Sequence, residues 1–138
     1  MSDINIGQIT EALNDKADRD MMNVPVDRAG FLFTVSQASV SSGTYYTLNF
    51  PSTIEPEKVK VVAYAVVKTA NNNFAVGDVI PFESLWGQNY RPLSIRLCST
   101  NLKFNTSDQI STNNPDNSGT GVNIVSYISL YFDIYQVK

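Results

Sequence analysis

Val122-Asn123-Ile124-Val125-Ser126-Tyr127-Ile128-Ser129-Leu130-Tyr131-Phe132-Asp133-Ile134-Tyr135-Gln136-Val137 is the stretch on which the fold turns. Val122, Ile124, Ile128, Leu130, Phe132 and Ile134 share one parity, with Ser126 as the sole polar interruption; Asn123, Tyr127, Ser129, Tyr131, Asp133 and Tyr135 share the other, with Val125 and Val137. A period of two lines one face of a strand with apolar side chains, because successive Cβ atoms point to opposite faces. The segment is predicted to be a single long strand buried on one side. Residues 58–69 repeat the pattern, with Val59, Val61, Ala63, Ala65 and Val67 facing one way and Lys58, Lys60, Val62, Tyr64, Val66 and Lys68 the other. This second run is the best candidate for a central strand.

Working outward, residues 31–36 and 45–50 read as strands separated by the turn-prone Ser41-Ser42-Gly43, with Pro51 as a stop. Asn71-Asn72-Asn73 makes a tight connection, and residues 74–76 and 79–82 flank Gly77-Asp78 as a hairpin. Residues 93–99 and 101–105 supply two further short strands. Residues 106–121 gather Asn113, Asn114, Pro115, Asp116, Asn117, Gly119 and Gly121, a composition expected to form an exposed loop. Seven or eight short strands and no helix over residues 26–138 predict an all-β antiparallel sandwich of jelly-roll-like form. The absence of a regular short repeat argues against a β-helical head.

The amino-terminal segment obeys a different period. Small and apolar residues recur at Ile6, Ile9, Leu13, Ala17, Met21 and Val24, an average spacing of about 3.6 that marks one α-helical stripe. A stripe so narrow on a polar helix cannot cover a globular core, so its natural partner is another copy of itself, and isoleucine at consecutive seam positions favours three or four strands over two. Pro25 ends the helix. Residues 1–25 are therefore expected to form a parallel coiled-coil stalk that makes the chain a homotrimer through Ile6, Ile9, Leu13, Ala17 and Met21, with the β head on residues 26–138.

The segment Ala12-Leu13-Asn14-Asp15-Lys16-Ala17-Asp18-Arg19-Asp20, followed by Asn23-Val24, closely resembles one found in many tail fibre proteins of tailed bacteriophages, where it precedes a C-terminal domain. The resemblance covers about a sixth of the chain and concerns the shaft rather than the head. It implies the C-terminal part of a longer fibre, joined to the rest of that fibre and located in the virion after synthesis in the host cytoplasm. Fibre tips of this kind are usually adhesins, so the implied role is attachment to a bacterial surface polysaccharide or outer-surface protein. The alternatives are a purely structural cap for a fibre or baseplate trimer and, more distantly, a carboxylate-dependent glycan hydrolase.

Composition narrows the chemistry. The 138 residues carry a formal charge of −3. Residues 1–28 hold six acidic and three basic side chains, which accounts for all of it, and residues 29–138 balance at seven of each. A head without cationic excess lacks the footprint that nucleic-acid binding requires. With no histidine in the chain, imidazole-dependent triads, dyads and zinc sites are excluded. The single Cys98 has no intrachain partner and is expected to be a half-buried small residue. No stretch approaches the roughly 18 apolar residues of a membrane span, and the amino terminus lacks the features of a signal peptide. Glu83, Asp78 and Asp108 are the carboxylates a two-acid hydrolase would need. Asn113, Asp116 and Asn117 have the ligand type for calcium but not the spacing of a known loop. No catalytic residue, metal or cofactor is assigned.

Trp86-Gly87-Gln88-Asn89-Tyr90-Arg91-Pro92 combines stacking rings, amides and a guanidinium, a mixture suited to a sugar face and its hydroxyls. Trp86, Asn89, Tyr90 and Arg91 are the candidate receptor-binding residues, against the alternative that Trp86 plugs one end of the sandwich. Tyr127, Tyr131 and Tyr135, spaced by four, are expected to line a contact between protomers, with a saccharide-binding face as the alternative.

Overall fold

In a computed structural model, residues 29–87, 91–115 and 120–137 are described. Among them the chain forms nine strands, three single 3-10 turns and no α-helix. The strands are β1 (Phe31–Gln37), β2 (Tyr45–Asn49), β3 (Val59–Val67), β4 (Val79–Pro81), β5 (Leu93–Leu97), β6 (Asn101–Thr106), β7 (Ser111–Asn113), β8 (Gly121–Asn123) and β9 (Ile128–Gln136). Every pairing is antiparallel, so the all-β antiparallel expectation holds. The stalk assigned to residues 1–25, including Ile6, Ile9, Leu13, Ala17 and Met21, lies outside the described residues.

Alternation decides which sheet face is buried. Four strands pair in the order β1-β9-β3-β4, and three in the order β2-β6-β5. In β9, Ile128, Leu130, Phe132 and Ile134 are at most 1% exposed, and Phe132 faces Val35 on one side and Ala63 on the other. Leu48, Leu102 and Phe104 are their counterparts in the three-stranded sheet. The two sheets meet where the Phe104 and Phe132 rings stand 5.0 Å apart, and Phe33 reaches Phe50 at 5.1 Å. Burial of such side chains stabilises the fold by about 1.5–3 kcal/mol each. The third pairing is the two-stranded β7-β8 ribbon.

The two-residue period locates most strands, and its failures have local causes. Residues 122–137 are not one strand: a 3-10 turn at Val125–Tyr127 separates β8 from β9. Asn123 drives the break, its Oδ1 accepting from the amides of Ile110 and Val125, an Asx-type bond that competes with the ladder. Tyr127 therefore leaves the strand that holds Tyr131 and Tyr135. Residues 74–76 form no strand. Phe74 instead bridges to Asn71, with Asn72 at φ 51° and Asn73 at φ 71°, the two positive values a type I′ turn demands. β4 pairs with β3, and the Asp78 carboxylate accepts from the Ala75 amide at 2.9 Å to hold the 75–78 turn.

Residues 106–121 are not simply an exposed loop either. Ile110 is fully buried, and Ser111 and Thr112 are buried in β7. Their polarity is satisfied locally: Trp86 and Ser111 exchange both backbone hydrogen bonds, and the Thr112 hydroxyl donates to the Ser84 carbonyl at 2.8 Å. Cys98 is half-buried in the turn between β5 and β6.

Candidate functional site

The segment singled out for receptor binding springs from a fixed base. Leu85 is buried beneath it, and the Trp86–Ser111 bridge ties its start to β7, with N–O distances of 2.9 and 2.7 Å. Trp86 is half-buried, and its indole lies against the backbone of Gly121 in β8: a Cβ there would stand 2.7 Å from Cζ2. The next residue, Gly87, has no room for a side chain, since a Cβ would collide with the Arg91 carbonyl oxygen and with Ser107 Oγ. Gly87 and Arg91 are thus the two touching feet of a short excursion. The Ser107 amide donates to the Pro92 carbonyl at 3.0 Å and completes the clasp. Arg91 is exposed, and Asn89 and Tyr90 lie outside the described residues.

Placement on these elements divides the predicted set. Trp86 and Arg91 come from opposite feet of one closed segment, as their sequence spacing suggests. Trp86 is half-buried against Gly121, which leaves part of its ring exposed. Sequence reasoning missed Gly121 and Ser107 as supports, because nothing in their spacing links them to Trp86 before β7 and β8 are paired.

A second surface is the outer face of the four-stranded sheet. Tyr131 stacks on Tyr64 with ring centroids 5.5 Å apart and planes 5° from parallel. Tyr135 meets Phe31 edge-on at 5.6 Å, and the Lys60 ammonium lies 5.7 Å from the Tyr135 centroid. Between the tyrosines, Asp133 is only 6% exposed, and its Oδ1 accepts from the hydroxyls of Thr34 at 2.7 Å and Tyr64 at 3.2 Å. Val62 and Val79, at 42% and 60% exposure, extend this face with apolar surface. Tyr64 joins the set through its register opposite Tyr131.

For the carboxylates, Asp78 serves its turn, and Glu83 is exposed on a 3-10 turn. Among the described residues no group of three or more histidine, cysteine, aspartate or glutamate side chains converges as a metal site. Asp116 and Asn117 lie outside the described residues. Compared with protein-family models, curated proteins and solved structures, the chain matches none.

Proposed function

We propose that the chain is a trimeric receptor-binding tip of a bacteriophage tail fibre: a jelly-roll-like sandwich head on a coiled-coil stalk of residues 1–25, which attaches the virion to a glycan or protein of the bacterial surface. The resemblance of residues 12–24 to fibre shafts supports the setting. One structural observation carries the binding role. Trp86 and Arg91 stand at the two ends of a segment whose base is locked by the Trp86–Ser111 bridge and the Gly87–Arg91 contact, so a half-buried indole and an exposed arginine are held on one anchored base. The tyrosine-rich face of β9 and β3 supports contact between protomers, tyrosine being enriched at interfaces. Linking three modest sites on one stalk then converts weak affinity into avidity.

Binding of the purified full chain to host cells and to arrayed glycans tests this reading. Tyr90→Ala and Arg91→Ala are each expected to weaken attachment by about 1–2 kcal/mol per site, near five- to thirtyfold, with mass and melting temperature unchanged. Normal attachment by both variants would make this segment structural and move the binding site elsewhere on the molecule, whereas no attachment by the parent chain would leave the purely structural reading in its place.

A further inference from the structure

The outer face of the three-stranded sheet carries a charge arrangement that folding alone does not favour. Arg96 of β5 stands directly opposite Lys103 of β6, and like charges so placed destabilise a sheet. The sequences of β2, β5 and β6 contain no aspartate or glutamate, and among the described residues neither cation has an ion-pair partner. In a chain of net charge −3 this is a local reversal of sign. One row along the same face, Tyr45 is 82% exposed and faces Asn105, which in turn faces Ser94. These side chains line a groove of about 370 Å³.

We infer that this groove binds a saccharide bearing an anionic group, carboxylate or phosphate. Same-face rows in a sheet lie about 7 Å apart, so one pyranose ring can rest on the Tyr45 ring while its acidic substituent meets Arg96 and Lys103. The guanidinium offers a two-pronged match to either anion, and the Asn105 amide and Ser94 hydroxyl serve the sugar hydroxyls. An occupied groove relieves the Arg96–Lys103 repulsion, which the empty one leaves uncompensated. The row of Tyr45, Asn105 and Ser94 also lies beside the clasp of the Trp86–Arg91 segment: the Gly43 amide donates to the Ser107 carbonyl at 3.0 Å, and the Ser107 amide to that of Pro92. The inference rests on the reading of the head as a glycan binder and names the ligand class.

The test is an amide-resolved NMR titration of the full chain with a panel of galacturonate, glucuronate and mannuronate oligomers, a sialylated trisaccharide, a glycerol-phosphate-substituted disaccharide and the methyl esters of the uronates. The expected result is movement of the Tyr45, Ser94 and Asn105 resonances with at least one acidic member at millimolar concentration, and a response to its neutral form weaker by about tenfold or more. Arg96→Gln and Lys103→Gln should each weaken binding by about fivefold or more, and added salt should weaken it further. Both variants should melt at or above the temperature of the parent, because a like-charge pair is relieved. The uronate and phosphate arms decide which anion is read. Unmoved resonances across the panel, equal response to acid and ester, survival of binding in the double variant, or preference for an oligonucleotide would each overturn the inference. Cell attachment measured on the same samples separates the two readings. Attachment that depends on Tyr90 and Arg91 while the groove stays silent removes only the groove, and a groove that titrates without any cell attachment removes only the fibre-tip role.

Discussion

At Gly121 a single hydrogen does the work of positioning the only tryptophan in the chain. Gly121→Ala pushes a methyl group to 2.7 Å from the indole, so either Trp86 or the β7-β8 ribbon must shift. Overpacking of this kind costs about 1–3 kcal/mol, and a thermal melt of the variant should show a loss of that size together with altered tryptophan fluorescence. Asp133 makes the complementary case, since its value lies in what it accepts. Asp133→Ala removes the acceptor for the Thr34 and Tyr64 hydroxyls and should destabilise the fold by about 1–3 kcal/mol in denaturant titration, whereas Asp133→Asn, which keeps an oxygen there, should cost less. The sequence makes Trp86 and Asp133 visible as unusual residues. It does not reveal their partners, which lie 35 positions away in one case and 69 and 99 in the other.

Among the elements, β9 combines the clearest sequence signal with the greatest energetic weight. Phe132→Ala should cost about 3–5 kcal/mol, read as a shift in chemical-denaturation midpoint, because its ring fills the space between the sheets against Phe104. The alternation of β3 was equally legible: Val59, Ala65 and Val67 are buried while Lys60 and Val62 are exposed. Where the elements are short, the period loses its grip. β7 and β8 have three residues each, too few for alternation to register, and both are held by side-chain bonds from Thr112 and Asn123. Residues 111–113 of the polar run that suggests a loop are thus paired with residues 121–123 as a ribbon, and Ser111 and Thr112 bond to the segment bearing Trp86. The turn expected at Gly77-Asp78 is displaced by one residue, with Val76 and Gly77 at the centre of the 75–78 turn, and residues 74–76 do not pair across it, because Asn72 and Asn73 close a turn of their own.

For the whole molecule, the decisive quantity is mass. The proposed stalk predicts about three protomer masses in light scattering, and Leu13→Asp should weaken that assembly, since each buried unpaired carboxylate costs several kcal/mol even after relaxation. A monomer independent of concentration would remove the trimer and with it the avidity on which the proposed attachment depends. In the sequence the charge of residues 29–138 is legible only as a balanced total of seven basic and seven acidic side chains. Its uneven distribution became visible once β5 and β6 were paired and Arg96 came to face Lys103. Net composition argues against a polyanion-binding surface of nucleic-acid size, yet it leaves room for a patch as small as one sugar.

The strand order has a bearing on how such a protein is made. β1 can find its partner only when β9, about a hundred residues later, has been synthesised, and until then β1 and β3 each lack their shared neighbour. Until β9 has been made, a growing chain therefore carries two unpaired sheet edges, and Phe104 lacks the Phe132 ring that packs against it, a state prone to association with other chains. Completing this sheet is a step of high contact order, expected on the millisecond-to-second scale. Truncation before Ile128 would yield no smaller version of this fold, only chains left for proteolysis.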